Sequence, residues 1–566
     1  AVSFPPQEVL SAALPRIQEC FQHGEALVRE CGMLALGALS TGCIDDMAQY
    51  IPSLFPFLLQ NIQSPLPELR SIICWVLSRY CSLFPYLNLP DGEQQQRVSA
   101  EGAACYNQTL QVLLSAMFDR NTKVQVAACS ALSVLVEQAF HIPISAAATT
   151  GSGGGISDED TVNILVPQLA SVLGAINRAF GQYGVKSSLI LVDTIGTIAD
   201  SVGSDLRSPQ FTALCFPQLM QRFDALEDFD MRMFPMLECL TSVLAAIGLE
   251  AQQYIVHIYT RCLRMIGVVI SSHQQEALEG YSSPLKSTDA DVGDEPPSKD
   301  FAICALDVIS AQCEGLGELF ASLVRDTSSQ ETLFQLMFAA MQDSLPELRQ
   351  SSFSLAGELS KHCVGLVGPA VAAQLLQQSI PCLNTDYPLV CNNAAWAVGE
   401  LALQVGGEFL QQYINQLMYG LITALQTAHL PDNIRVNVAV TVGRLGMVDT
   451  LEVAALADEY FADWCSVLEL PCPLNERLHS FQGMLSILHQ NPDLVLDNKT
   501  HLYSLLVALS SCWSPESPPP TDLLQGFREV LLTTRSRNPT MWGRVVNKFS
   551  LHHDFQVIAN MFQLSI

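Results

Sequence analysis

The sequence predicts an all-α protein, a right-handed solenoid of about 12 HEAT repeats in which each repeat is an antiparallel helix pair. Apolar residues recur with the 3.6-residue period of a helix, and strand-like alternation is nearly absent. Short breaks at Gly, Pro, Asp or Asn separate the helical runs. A repeated segment supports this prediction, because Leu-Pro-Glu-Leu-Arg begins one run at 66–70 and another at 345–349.

Pairing the runs along the chain gives a first and a second helix for each repeat. The second helices of such an array line its concave surface. The first helices are predicted at 6–21, 47–63, 95–118, 161–180, 208–225, 249–275, 328–342, 367–383, 408–426, 451–469, 493–513 and 540–549. The second helices are predicted at 25–41, 67–84, 122–140, 185–203, 230–248, 300–316, 346–362, 388–406, 432–447, 475–490, 520–536 and 553–564.

The whole chain, 1–566, is expected to be one array interrupted by two inserts. The first, 143–158, is rich in Gly and Ser and is predicted to be a flexible linker. The second, 277–299, is polar and is predicted to be a disordered linker.

Composition narrows the class of protein. The chain has 56 acidic and 28 basic residues, a net charge of −28, which disfavours direct nucleic-acid binding and favours basic ligands. The 18 cysteines include no Cys-x-x-Cys pair, so we expect reduced, buried thiols in an intracellular protein. No signal-type start and no uninterrupted 18-residue apolar run is present, so membrane insertion is not expected.

An acidic residue recurs inside the apolar second helices at a spacing close to the repeat length. Because an unpaired carboxylate is costly to bury, we interpret the row as a surface for a basic ligand. Its members are Glu137, Asp193, Glu238, Asp307, Glu358 and Glu400, the last without a specific assigned role.

Catalysis and cofactor binding are not predicted. The glycines at 151–155 lack the Lys-Ser/Thr of a phosphate loop, and no catalytic or metal-ligand spacing is present. Glycines near the centres of second helices predict close helix packing instead. These are Gly37, Gly196, Gly357, Gly399 and Gly443.

Several collinear segments carry a resemblance to one family. They are SIICWVLSRY (71–80), KVQVAACSALSVLVEQA (123–139), DTIGTIADSVG (193–203), MFPMLEC (233–239), KDFAICALDVISAQCEGLG (299–317), MQDSLPELRQSSFSLAGEL (341–359), VCNNAAWAVGE (390–400) and NVAVTVGRLG (437–446). Over most of 24–450 the chain resembles the transportins, karyopherin-β import receptors for proline-tyrosine nuclear localisation signals.

The resemblance implies three groups of ligand-binding residues. A pocket for the Pro-Tyr end of the signal, within the first half of the array (1–272), is implied at Leu34, Ile72, Trp75 and Arg79. Contacts to the basic part of the signal are implied at Glu137, Asp193, Glu238, Asp307 and Glu314. A second cargo site, in repeats 300–450, is implied at Gln350, Glu358, Asn392, Trp396, Asn437 and Val440, and 451–566 is expected to form capping repeats. Pro388 departs from the aliphatic residue usual in the family.

The resemblance also implies a function and partners. The chain is expected to be a nuclear import receptor fragment, or a reduced cargo-binding form, that shuttles between cytoplasm and nucleus and holds its cargo signal extended along an acidic concave face. Ran GTPase would bind mainly through an N-terminal half outside this sequence, and nucleoporin Phe-Gly repeats are further implied partners. The alternative is a HEAT-repeat scaffold that organises a multiprotein complex.

Overall fold

A computed structural model describes residues 4–87, 99–143, 161–207, 209–282, 296–326, 330–513, 518–550 and 555–562. These residues are almost entirely helical, which confirms the predicted all-α class. The chain divides into two compact units, unit 1 at Ala1–Ile255 and unit 2 at Val256–Ile566.

Unit 1 is a row of five helix pairs. The even-numbered second helices α2, α4, α6, α8 and α10 pack side by side, each against the next. The helices are α1 Pro6–Phe21, α2 Ala26–Met47, α3 Ile51–Asn61, α4 Pro67–Tyr80, α5 Ala100–Ala116, α6 Thr122–Glu137, α7 Leu169–Phe180, α8 Val185–Val202, α9 Pro209–Ala225 and α10 Met233–Ile247.

Unit 2 repeats the same arrangement. Its principal helices are α11 Ile255–Ser282, α12 Asp300–Leu316, α14 Gln330–Met341, α15 Pro346–His362, α16 Pro369–Ser379, α17 Pro388–Val405, α19 Ile414–Gln426, α20 Asp432–Val448, α22 Ala457–Leu468, α23 Leu474–Gln490, α25 Lys499–Cys512, α26 Thr521–Arg537, α27 Pro539–Phe549 and α28 Phe555–Met561. Short helices between them are α13 Glu318–Asp326, α18 Gly407–Leu410, α21 Thr450–Ala455 and α24 Asp493–Leu496. The second helices α12, α15, α17, α20, α23 and α26 form one continuous row.

The two Leu-Pro-Glu-Leu-Arg segments start α4 and α15 in the same way. Proline occupies the first turn, where its missing N–H costs no hydrogen bond, and glutamate follows near the positive end of the helix dipole. The arginine then turns back to the preceding loop. Arg70 Nη1 donates to the Ser64 carbonyl at 2.7 Å, and Arg349 Nη1 donates to the Asp343 carbonyl at 2.8 Å. The repeated sequence is therefore a repeated helix start.

The core runs between the helix layers of each unit. Fully buried aromatic side chains include Phe84 and Tyr106 in unit 1 and Tyr259 and Trp464 in unit 2. All 18 cysteines are free thiols and most are buried, as predicted. Burial raises the pKa of Cys74 to about 12, so this thiol stays protonated and packs as a small apolar group.

Two boundaries differ from the sequence prediction. The helix expected at 161–180 begins only at Leu169, because 161–163 forms strand β2 (Thr161–Asn163), which pairs antiparallel with β1 (His141–Pro143). The linker expected from residue 277 begins later, because α11 continues to Ser282. Residues 144–158 of the first insert and 283–295 of the second lie outside the described residues.

Two stretches, 26–61 and 233–277, are long and apolar enough to cross a membrane by length and composition alone. Each contains more than one helix of the array. Within the first stretch, Thr41, Gly42 and Cys43 leave helical geometry and a new helix begins at Ile51. Apolar repeat helices in a row therefore account for the hydropathy of this stretch.

Candidate ligand-binding surfaces

Helices α2 and α4 of unit 1 bring together the four residues expected to form the Pro-Tyr pocket. Leu34 is 43% exposed and Trp75 is 38% exposed, although both are large apolar side chains. Ile72 is half-buried and Arg79 is exposed. The four lie on two neighbouring second helices, which gives one aromatic, two aliphatic and one cationic group; we call them the unit 1 tryptophan site.

Arg79 is held by the end of α2. Its Nε donates to Ser40 Oγ at 2.9 Å and its Nη2 donates to Thr41 Oγ1 at 3.2 Å. Thr41 lies at the break in α2, where Gly42 has a φ of 91°, a left-handed conformation that favours glycine. The break and the two hydroxyls therefore orient the guanidinium beside Trp75.

The unit 1 acids form an exposed row on the following second helices. Glu137 on α6, Asp193 on α8 and Glu238 on α10 are all exposed. Within the described part of the chain, none of the three carboxylates makes a salt bridge. A groove of about 630 Å³ between α6 and α8 is lined by Glu137, Asp193 and Asp200. The hydroxyl of Ser133 and that of Thr194, 2.7 Å apart, join these two helices.

The unit 2 acids lie deeper. Asp307 on α12 is half-buried; burial raises the pKa of this carboxyl, and a hydrogen bond with Ser351 opposes the rise. Glu314, about two turns further along α12 than Asp307, is exposed. Burial raises the pKa of Glu358 on α15 to about 7, and the charges of Glu314 and Glu400 add to that rise.

A histidine shares the environment of Glu358. His362 Nε2 lies 3.4 Å from Glu358 Oε2, but neither buried atom has a hydrogen-bond partner among the described residues. Burial lowers the pKa of His362, and the neighbouring Lys361 lowers it further. The pair is therefore close enough to interact electrostatically without the alignment of a hydrogen bond.

Glu400 corrects the prediction that every acid of the row lies on the surface. It is 5% exposed and its Oε1 lies 2.9 Å from Arg444 Nη2 on α20, which is 3% exposed. The sequence leaves Glu400 without a role, and the structure assigns it one. It forms a buried ion pair between the second helices α17 and α20.

Carboxamides connect the three helices that carry the predicted second cargo site. Asn393 Nδ2 donates to the Gln350 carbonyl at 3.0 Å, and Asn392 Nδ2 donates to Asn393 Oδ1 at 3.0 Å. Asn437 Nδ2 donates to both the carbonyl and the Oδ1 of Asn392, each at 3.1 Å. These half-buried amides therefore form a chain across α15, α17 and α20.

Trp396 lies on α17 beside this amide chain and is half-buried. Val440 does not share its surface, because the side chain of the valine is fully buried, and its role in a second cargo site stays a prediction. Pro388, the departure from the family pattern, occupies the first turn of α17, between the exposed Tyr387 and Leu389. Proline suits that position because its N–H is not needed there.

Sequence reasoning missed the residues that support these side chains. It identified Trp75, Trp396 and Arg79, but not the hydroxyls of Ser40 and Thr41 that bind Arg79. Nor did it find His362 beside Glu358 or Arg444 beside Glu400. Only Arg444 had a visible signal, a cation in an otherwise apolar second helix. No group of three or more potential metal ligands occurs among the described residues.

Comparison with known proteins identifies relatives. Residues 26–80 match the HEAT-like repeat model. Transportin-1 of Mus musculus is 34% identical over 493 residues, 87% of this chain and 49% of the relative. Transportin of Dictyostelium discoideum is 30% identical over 547 residues, 96% of this chain and 53% of the relative. The chain is a transportin-like karyopherin-β.

Solved structures agree on the fold. Importin beta superposes on the transportin-like chain with a TM-score of 0.51 at 12% identity, covering 97% of this chain and 73% of the importin. A variant of the karyopherin Kap121p gives a TM-score of 0.51 at 13% identity, covering 97% of this chain and 58% of the Kap121p chain. These similarities support a HEAT solenoid. The transportin-like chain spans about half the length of the curated relatives that it matches.

Proposed function

We propose that this chain is the cargo-binding part of a nuclear import receptor. It binds basic proline-tyrosine nuclear localisation signals, in extended form, on the surface of its second helices. The observation that carries the proposal is the exposed Trp75 beside Arg79, in the same row of helices as three carboxylates that make no salt bridge to any described residue.

The unit 1 tryptophan site fits the Pro-Tyr end of such a signal. A tryptophan face with the aliphatic Leu34 and Ile72 offers apolar area to a proline and an aromatic ring. Arg79 supplies N–H donors for a carbonyl, hydroxyl or carboxylate oxygen of the ligand. Since two exposed large apolar groups, Leu34 and Trp75, lie on adjacent helices, the site offers selectivity rather than general attraction.

The acidic row fits the basic part of the signal. Glu137, Asp193 and Glu238 face solvent and make no salt bridge among the described residues, so Lys or Arg side chains can pair with them without displacing a protein partner. The net charge of −28 raises the local concentration of a basic peptide. These acids therefore increase the rate at which the peptide meets the protein and orient the peptide, while the tryptophan site selects which peptide residues bind.

The second cargo site, in unit 2, fits an epitope with both polar and cationic or apolar groups. Gln350, Asn392 and Asn437 carry amide groups that can exchange hydrogen bonds with an extended backbone. Trp396 offers a ring face for an apolar or guanidinium group. Glu358 has an orphaned buried oxygen that a ligand cation would satisfy.

Calorimetric titration of a basic peptide ending in Pro-Tyr tests the proposal. Trp75→Ala is expected to weaken binding by at least about tenfold, because tryptophans in partly enclosed pockets dominate binding energies. Tyr86→Ala is the matched control, since Tyr86 is also an exposed unit 1 aromatic, at 48%, but lies outside the site. Equal affinity of wild type and Trp75→Ala would rule out the pocket.

Partners of the whole receptor belong to the same proposal. The similarity to transportins supports binding of Ran GTPase and of nucleoporin Phe-Gly repeats, with shuttling between cytoplasm and nucleus. A pull-down of basic cargo with this chain, in the presence and absence of GTP-loaded Ran, is the test. We expect cargo to be retained in both cases, because Ran is proposed to act mainly through an N-terminal half of the receptor that is outside this sequence. Release of cargo by Ran from this chain alone would contradict that division.

A further inference from the structure

A glycine lies beneath each of the two site tryptophans. On α2, a Cβ added to Gly37 would overlap Trp75 Cζ3 and lie 2.7 Å from its Cη2. On α15, a Cβ added to Gly357 would overlap Trp396 Cζ3 and lie 2.8 Å from its Cη2. In both units, therefore, the six-membered ring of the indole rests on the glycine of the preceding second helix.

Other second-helix glycines have a different neighbour. A Cβ on Gly196 would lie 3.2 Å from the Cα of Cys239, and one on Gly443 would lie 2.5 Å from the Cα of Ser480. These glycines let two helix backbones approach each other, which is the packing role that the sequence predicts for all of them. Gly37 and Gly357 instead make room for a side chain that is itself part of a candidate site.

We propose that Gly37 and Gly357 are positioning residues for ligand binding. Each allows an indole to lie against the backbone of the preceding helix, which fixes the depth of the ring and leaves its outer part for the ligand. Any larger residue displaces the ring, because the overlap involves ring carbons that cannot move independently of one another. This inference rests on the proposed function, since it assigns the exposed part of each ring to a bound peptide.

The two sites place different groups four residues after the tryptophan, one helical turn away. In unit 1 that residue is the exposed Arg79; in unit 2 it is the buried Glu400, already paired with Arg444. Each glycine therefore fixes one common ring position, while the neighbouring groups set the chemistry. The unit 1 ring receives an apolar residue next to a hydrogen-bond acceptor, and the unit 2 ring receives an apolar or cationic residue.

Gly37→Ala in the full chain is the first test. We expect the affinity for a basic peptide ending in Pro-Tyr to fall at least tenfold, close to that of Trp75→Ala. The emission of Trp75, taken as the difference between chains with and without Trp75→Phe, is expected to shift to longer wavelength as the ring moves into water. Gly174→Ala is the matched control, because Gly174 lies in helix α7 with nothing within 4 Å of an added Cβ.

Rescue separates positioning from general damage. Replacing Trp75 by leucine removes the ring atoms that the alanine overlaps. Gly37→Ala combined with Trp75→Leu is therefore expected to unfold at the same temperature as Trp75→Leu alone, even where Gly37→Ala alone is unstable. Its peptide affinity stays at the low value of Trp75→Leu. A double variant that is markedly less stable than Trp75→Leu would overturn the inference, since the glycine would then serve backbone packing.

The outcomes also separate this inference from the proposed function. Wild-type affinity and unshifted emission in Gly37→Ala, with weak binding by Trp75→Ala, would overturn the positioning role and leave the pocket intact. Wild-type affinity in Trp75→Ala would instead overturn the pocket. The same pair of variants at Gly357 and Trp396, titrated with a basic peptide lacking Pro-Tyr, tests the second site independently.

Discussion

The acidic rows of the two units differ in how far helix packing has taken them from solvent. In unit 1, Asp193 and Glu238 are exposed and unpaired within the described residues. In unit 2, Glu358 is half-buried with a raised pKa, and Glu400 is buried against Arg444. The same periodic sequence feature thus produces a surface charge in one unit and an internal electrostatic network in the other. The neighbouring helix, rather than the acid itself, decides which of these results.

The largest expected effect concerns the buried pair. Glu400→Ala leaves Arg444 buried without its counter-ion, and loss of one partner of a buried pair typically costs about 3–5 kcal/mol. We expect faster hydrogen exchange in α17 and α20, measured by mass spectrometry, and a lower unfolding temperature. Glu238→Ala is the exposed control and is expected to change stability by less than about 0.5 kcal/mol. Similar protection of the backbone amides from exchange in both variants would show that Glu400 contributes no more to stability than a surface acid does.

The fold was largely predictable because helical periodicity and helix-start signals are local. Helices α15, α17 and α20 lie within one or two residues of their predicted positions, since proline, aspartate and glycine mark their ends. The short strand pair at 141–143 and 161–163 was not predictable. Three-residue strands carry too little alternation to be recognised, and their pairing brings together segments on either side of an insert.

The candidate sites were less predictable than the helices that carry them. The position of Trp75 on a second helix follows from the sequence, but the contact of its ring with Gly37, one repeat earlier, does not. The burial of Val440 and Glu400 likewise depends on which face of α20 and α17 meets the next helix. Local sequence does not determine how two neighbouring helices are aligned. Side-chain partners that are about 40 residues apart, such as Arg79 and Ser40, are not predictable from local sequence for the same reason.

A pH titration distinguishes the two rows next. The pKa of Glu358 is raised from 4.5 to about 7, so between these values the folded state holds a proton that the unfolded state has released. Stability therefore falls as pH rises through this window, by at most about 3 kcal/mol. Glu358→Gln is expected to gain stability over wild type at pH 8 but not at pH 4, measured by thermal unfolding.

Two variants sharpen that titration. Glu314→Gln removes a neighbouring charge that helps raise the pKa of Glu358, so the fall in stability is expected to end at a lower pH and to be smaller. Glu137→Gln in unit 1 is the control, because its carboxylate is exposed. A difference between Glu358→Gln and wild type that is the same at every pH would mean that the burial of Glu358 does not govern its proton.

The tryptophan sites are expected to differ in the ligand that they prefer. Trp75→Ala should weaken the binding of a peptide ending in Pro-Tyr by about 2 kcal/mol, roughly 30-fold. The affinity for a basic peptide without Pro-Tyr should stay nearly unchanged. Trp396→Ala should do the reverse, because the residue one turn after Trp396 is the buried Glu400 and not an exposed arginine such as Arg79. Fluorescence-polarisation titration of both peptides against both variants measures the effect. Parallel losses for both peptides would show that the two sites have the same preference.

The smallest expected effect concerns the exposed row, and it is one of rate and salt dependence. Asp193→Lys should weaken the binding of a basic peptide by about 1 kcal/mol at low ionic strength. The effect is small because an exposed ion pair contributes little, and the reversed charge adds some repulsion. The loss should appear mainly in the association rate, and it should shrink towards 1 M salt, where the screening length is about 3 Å. Asp205→Lys places the same charge on an exposed residue after α8, away from the row, and is expected to have less effect. Equal effects of both reversals would mean that unit 1 attracts basic peptides through net charge alone, and that the position of Asp193 in its row is unimportant.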